Sequence, residues 1–247
     1  MTPWSEAPAQ ILAGIHTVIT DVDDTITHDR KLAGSTLAAL ERLHDAGVRI
    51  IPATAASAGW GSLMATLWPV DAVIAENGGI AFTRDEDGGI SRRFFADSAP
   101  DLNDLRLRLR AAFPQLEPAD DQAYRESSLA FRRLPDDAAN RRILDALPAL
   151  GASGTVNSLW LLAWPGQWDK LAATRRLLDL DRERERVLYV GDSQNDQVMF
   201  AALPYTIGVS TITQHRLDHW PRWITQGPGG RGFVEVAEQI VAARRWP

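Results

Sequence analysis

Short apolar, β-branched runs alternate with segments of helical period along the first third of the chain. Ile15–Thr20 and Val48–Ala53 read as buried parallel strands, because a strand covered on both faces is apolar almost throughout. Between them Ser35–Ala46 places Leu37, Leu40 and Leu43 on one helical stripe, and Gly47 supplies the stop. Ala58–Leu67 repeats the helical pattern and ends before Pro69. Ala72–Ala75 is a third strand, followed by a turn at Glu76-Asn77-Gly78-Gly79.

The middle of the chain changes character. Ile80–Thr83 and Ile90–Phe95 flank an acidic, Gly-rich tip and predict a hairpin. A helix at Asp101–Ala112, a strand at Ser128–Leu134, a helix at Asp136–Leu147 and a strand at Ser158–Ala163 follow. The last third returns to alternation, with helices at Asp169–Leu180 and Asn195–Ala202 and strands at Val187–Val190 and Thr206–Val209. A closing helix spans Phe233–Arg244. The pattern predicts an α/β protein with a Rossmann-like parallel-sheet core, residues 1–84 and 165–247, interrupted by an inserted α+β domain at 85–164.

In open parallel sheets, ligands bind beyond the carboxyl ends of the strands. The first strand delivers Asp21, Asp23, Asp24 and Thr25 there, and the second delivers Thr54. Val187–Val190 delivers Gly191-Asp192-Ser193-Gln194-Asn195-Asp196 immediately before a helix. If these strands are neighbours, at least four carboxylates share one crevice, and like charges that close raise one another's pKa unless a cation intervenes. Hard oxygen ligands, with no Cys in the chain and no His nearby in sequence, point to Mg2+. Each carboxylate alone could instead make an Asx turn or cap a helix. Three strand ends carrying the same chemistry argue for the shared site.

Composition narrows the field. The absence of cysteine excludes disulfides and thiolate catalysis. A net charge of −6 argues against non-specific binding to nucleic acid or to an anionic membrane. No apolar run approaches the roughly 20 residues of a membrane span. The N-terminal segment lacks the pattern of a signal peptide, so a cytoplasmic location is expected. Of 26 basic residues only Lys31 and Lys170 are lysines. Codon bias toward arginine is the bland cause, and a lysine that survives it raises the question whether a forked guanidinium would have failed there; for Lys170 the first turn of a helix otherwise disfavours a cation.

In order along the chain, DVDDT (Asp21–Thr25), Thr54 after a hydrophobic strand, Lys170 at the start of a helix and GDSQND (Gly191–Asp196) resemble the four motifs of the haloacid dehalogenase-like hydrolases. AENGGI (Ala75–Ile80) and an insert between the second and third motifs resemble the type IIB-capped, Cof-like and sucrose-phosphatase-like branch. The resemblance spans Asp21 to about Val236.

It implies a phosphatase in which Asp21 is the nucleophile, Asp23 the general acid and base, and Lys170 a catalytic cation. Thr54, Lys170, Asp24 and Ala55 would be the phosphate-binding positions. Asp21, Asp192 and Asp23, the last through its backbone carbonyl, would hold Mg2+, with Thr25, Asn195 and Asp196 behind them. The substrate implied is a small phosphorylated metabolite, a sugar phosphate foremost. A phosphomutase using the same aspartyl-phosphate and a non-catalytic phospho-acceptor are the alternatives. Ala55-Ala56 replaces the Gly-Arg that relatives often carry, so the identity of the sugar does not transfer. Arg125, Arg132, Asn157 and Trp160 of the insert are candidates for substrate selection, with Trp164 beside them. His215–Trp223 either lines the entrance or anchors the last helix.

Overall fold

The computed structural model describes residues 1–96, 100–157 and 159–245. Thr17–Thr20 and Arg49–Pro52 pair in parallel, and Thr17–Thr20 also pairs with Val187–Gly191 on its other side. The sheet continues through Tyr205–Gly208 and Trp223–Ile224 to Thr2–Pro3, and every pairing in it is parallel. Alternate residues of its central strands enter opposite cores. Val18, Ile50 and Leu188 pack on one side with Leu40, Phe233 and Val236, whereas Ile19, Ile51 and Tyr189 pack on the other with Ala173, Met199 and Phe200. Helices Gly34–Asp45 and Gly229–Arg245 cover the first face, and Lys170–Leu177 and Gln197–Ala202 cover the second. Gly47, at φ +72, ends the first helix in the left-handed conformation that a side chain would strain, while the Val48 amide donates to Leu43 O at 3.0 Å.

Ala72–Ala75 departs from the simple expectation of a third parallel strand. It meets the core sheet through one parallel bridge, Ala53 to Ile74, and otherwise pairs antiparallel with Ile80–Arg84. Ile90–Phe94 adds a third strand to that unit. The boundary expected after residue 84 therefore falls inside a hairpin whose two strands are hydrogen-bonded together on the core side.

The inserted α+β unit carries a three-stranded antiparallel sheet in the order Leu129–Arg132, Trp160–Trp164, Ser153–Val156. Leu105, Leu109, Ile143 and Leu147 of its helices Leu102–Ala112 and Asp137–Ala146 and the turn that follows pack on Leu129, Phe131 and Leu161. Asp101 and Asp136 cap those helices by accepting from Asn103 N and Ala138 N. The strand expected from Ser158 begins at Trp160, and Ser158 itself lies outside the described residues. The helix expected over Asp169–Leu180 stops at Leu177, because Leu178 is extended, and Leu180–Glu183 forms a separate turn. Among the described residues no helix is long and apolar enough to cross a membrane.

Candidate active site

Register builds the site. Thr20 pairs with Val190, the Asp21 amide donates to Val190 O at 2.8 Å, and the Ala53 amide donates to Thr20 O at 2.7 Å. Asp21, Thr54 and Asp192 therefore leave three adjacent strand ends side by side. Lys170 opens a helix whose N-cap, Asp169, accepts from Ala172 N at 2.7 Å. Its buried ammonium lies 2.6 Å from Asp21 Oδ1 and 2.7 Å from Asp196 Oδ1.

Asp196 has no oxygen to spare. Its Oδ1 accepts from Lys170 and from the Tyr189 hydroxyl, and its Oδ2 accepts from the amides of Asp192 and Ser193 at 3.0 and 3.1 Å. Gly191 allows this approach, because a Cβ there would sit 2.6 Å from Asp196 Cγ. Asp192 Oδ1 accepts from Thr25 Oγ1 at 3.0 Å, and Ser193 Oγ donates to Asn195 Oδ1 at 2.7 Å.

Asp21, Asp192 and Asp196 each offer a carboxylate oxygen within 4.8 Å of the others. One ammonium against three carboxylates leaves a formal charge of −2 in a buried space, where uncompensated charge is costly. Burial raises Asp21 from 3.8 to about 7, with Lys170 opposing the shift and Asp196 and Asp23 adding to it. Burial, Asp21 and Asp196 push Asp192 well above its ordinary range. Burial works against the charge on Lys170, but Asp196 and Asp21 outweigh it and hold the ammonium above the usual lysine range. Asp196 is consumed by its four donors, so the second oxygens of Asp21 and Asp192 are the ones fitted to a metal ion. An oxygen-only donor set of this charge suits a hard divalent cation.

The loop after Asp21 turns sharply. Asp24 takes φ +59, its amide donates to Thr27 Oγ1 at 3.1 Å, and Thr27 Oγ1 donates to Val22 O at 3.1 Å. The Asp24 amide is thus engaged within the loop. Asp23 is half-buried on the wall of a cavity of about 510 Å3. Burial and then Asp24 raise its pKa, against Lys170 and Arg30. On the neighbouring strand end, Thr54 is fully buried, and its Oγ1 accepts from Ala56 N at 3.0 Å.

The candidates in the inserted domain divide. Asn157 and Trp160 line the cavity beside Asp23, and Asn157 Oδ1 accepts from Leu159 N and Trp160 N. Arg125 is buried and committed to structure. Its Nε and one terminal nitrogen grip Asp121 at 3.1 and 2.8 Å, and the other terminal nitrogen donates to Ala55 O and to Ser128 Oγ, both at 3.1 Å. Arg132 is exposed and paired with Asp120 at 2.7 Å, off the cavity wall. Trp164 is buried and donates to Trp168 O. From His215–Trp223, Trp223 lies in the strand that pairs with the edge strand Thr2–Pro3, and it meets Trp4 edge-on at 5.4 Å between ring centroids.

Glu76 is a residue whose importance the sequence conceals. Fully buried, it accepts from Ala58 N and Glu126 N through Oε1 and from Ser127 N, Ser127 Oγ and Ser128 Oγ through Oε2, at 2.7 to 2.9 Å. One carboxylate therefore ties a core helix start to the inserted domain at the point where Arg125 clasps Ala55. Glu76→Ala strands these donors, and a loss of about 3–5 kcal/mol is expected. Chemical denaturation measures it, and Glu76→Gln, which keeps the shape and half the acceptors, should lose less.

No family model matches the chain. The phosphoglycolate phosphatase of Pyrobaculum neutrophilum is 28% identical over 234 residues, spanning 93% of this chain and 97% of the relative. A Thermoplasma acidophilum structure superposes with a TM-score of 0.75 at 19% identity, covering 92% of this chain and 98% of that one. A HAD/COF-like hydrolase from Plasmodium vivax gives 0.69 at 15% identity, over 94% and 98% of the two chains. In fold the chain is similar to haloacid dehalogenase-like hydrolases. The fold is also shared with the sucrose-phosphatase of Synechocystis sp. PCC6803, solved with sucrose and phosphate (TM-score 0.68, 16% identity, 91% and 97% covered). The chain combines Asp21, Thr54 and Asp192 at adjacent strand ends with Lys170 at a helix start.

Proposed function

We propose that this chain is a magnesium-dependent phosphomonoesterase that hydrolyses a small phosphorylated metabolite, a sugar phosphate foremost, through an aspartyl-phosphate on Asp21. The observation that carries the reading is the position of Lys170, shared between Asp21 and Asp196 and leaving the second oxygen of Asp21 unclaimed by it. The ammonium fixes the carboxylate's orientation and shields part of the charge on an approaching phosphate. Magnesium, held by Asp21 and Asp192 with the Asp23 backbone carbonyl, would supply the positive charge that lets an anionic nucleophile meet an anionic ester.

In the first half-reaction the Asp21 oxygen attacks phosphorus in line, the O–P bond forms and the bond to the leaving alkoxide breaks. Asp23 gives that alkoxide its proton. In the second half-reaction Asp23 takes a proton from water, whose oxygen attacks phosphorus and releases Asp21 and inorganic phosphate. Thr54 and Lys170 hold the non-bridging oxygens meanwhile. The raised pKa of Asp23, set by burial and then Asp24, is of the sign that a proton donor near neutral pH requires.

The test is phosphate release by the purified chain over a panel of monophosphates, with and without Mg2+. Asp23→Asn should lower turnover about 10²–10⁴-fold while Mg2+ affinity by calorimetry stays near the wild-type value. Loss of Mg2+ binding in that variant would make the side chain a ligand and remove it from proton transfer.

A further inference from the structure

The cavity beside Asp23 is built for something larger than a two-carbon acid. Its volume is about 510 Å3, within the range of roughly 300–1,000 Å3 that encloses ligands much larger than glycolate. Trp60 and Trp68 line it from the core, and Tyr124 and Trp160 line it from the inserted domain. Two of these rings are unusually open, Trp60 at 55% and Tyr124 at 64% exposure. Large aromatic side chains left in water around one cleft offer a surface that a ligand ring would cover.

The carboxylates that the inserted domain puts on the wall are paired. Asp121 is gripped by Arg125 through both oxygens, and Asp120 is paired with Arg132. Arg30 is the guanidinium on the cavity wall among the described residues, and its charge acts on Asp23. The rings thus share the wall with one guanidinium, whose action on Asp23 puts it toward the phosphate end of the cavity.

We propose that Trp60, Tyr124 and Trp160 form a leaving-group subsite selecting phosphate esters of uncharged, ring-bearing alcohols over phosphoglycolate. This inference rests on the phosphatase reading above and adds the residues that choose the substrate. A sugar or aryl ring lies against the indoles, while phosphate reaches Asp21 past Asp23. The small carboxylate ester, in contrast, leaves the rings in water.

The experiment compares kcat/KM for sucrose 6-phosphate, 2-naphthyl phosphate and phosphoglycolate in the wild type, Trp60→Ala, Trp160→Ala and Trp60→Phe. The wild type should favour at least one ring ester by about tenfold or more. Each alanine variant should reduce that ratio by about fivefold or more, chiefly through KM, and Trp60→Phe should retain most of it. The two ring esters separate a sugar subsite from an aryl one.

Binding of the same esters to Asp21→Asn, followed by calorimetry and tryptophan fluorescence, reads the subsite without turnover. Ring-selective binding with quenching but no hydrolysis by the wild type would uphold the subsite and overturn the phosphatase reading. Equal or better kinetics on phosphoglycolate, or a ratio unmoved by both alanine variants, would overturn the subsite. Circular dichroism confirms that each variant is folded.

Discussion

Asp21→Asn should abolish phosphate release, by at least about three orders of magnitude, and at the same time make the metal-free protein more stable above neutral pH. The first effect follows because an amide neither attacks phosphorus nor completes a carboxylate set for magnesium. The second follows from the sign of the Asp21 shift. Its folded pKa, about 7 against an ordinary 3.8, is raised by burial beyond what Lys170 recovers. Without metal, the contribution of a carboxyl of this kind is fully present below the unfolded value and is lost as pH rises through the folded one. Melting in EDTA should therefore show the wild type losing stability between about pH 4 and pH 7 relative to Asp21→Asn. Magnesium should restore the wild type and do little for the variant. If Asp21→Asn still releases phosphate, the nucleophile is elsewhere; if it melts lower than the wild type at pH 8 in EDTA, the crowding of charge described here is wrong.

The sequence made some of this legible for a definite reason. Strands buried on both faces are apolar or β-branched along their length, so Ile15–Thr20 and Val187–Val190 stood out; the strands run Thr17–Thr20 and Val187–Gly191, and the helix Ala58–Leu67 agrees at both ends. Polar residues interrupting such runs at their carboxyl ends mark the crevice, and parallel register then brings Asp21, Thr54 and Asp192 to adjacent strand ends. Ser153–Val156 was hidden because a half-buried strand containing glycine carries neither alternation nor an apolar run. Glu76 was hidden differently. Its partners Glu126, Ser127 and Ser128 lie 50 or more positions away, and no local pattern encodes a carboxylate serving both domains. Arg125 read as a candidate for substrate selection because a sequence does not reveal that Asp121 and Ala55 already occupy its fork.

Lys170→Met should be the most destabilising of the substitutions in the catalytic motifs. The side chain is wholly buried and bonds two carboxylates at once, and removing one partner of a buried ion pair costs about 3–5 kcal/mol, because the remaining charge stays out of water. For a chain of this size that corresponds to a fall in Tm on the order of 10 °C. The loss is unevenly shared. Asp196 keeps the Tyr189 hydroxyl and two backbone amides, whereas Asp21 loses its ammonium partner and must either take up a proton or bind a cation more tightly. Magnesium should consequently raise the Tm of Lys170→Met more than that of the wild type, while phosphate release stays below about a thousandth of wild type, because metal binding does not replace the ammonium on the non-bridging oxygens. Lys170→Arg keeps the charge but places a planar fork where one nitrogen now sits between two carboxylates, so it should regain part of the stability and little of the activity. Differential scanning fluorimetry with EDTA and with Mg2+, run beside the release assay, gives all of these numbers. A Lys170→Met protein that melts with the wild type in EDTA would mean that Asp21 and Asp196 do not share the lysine.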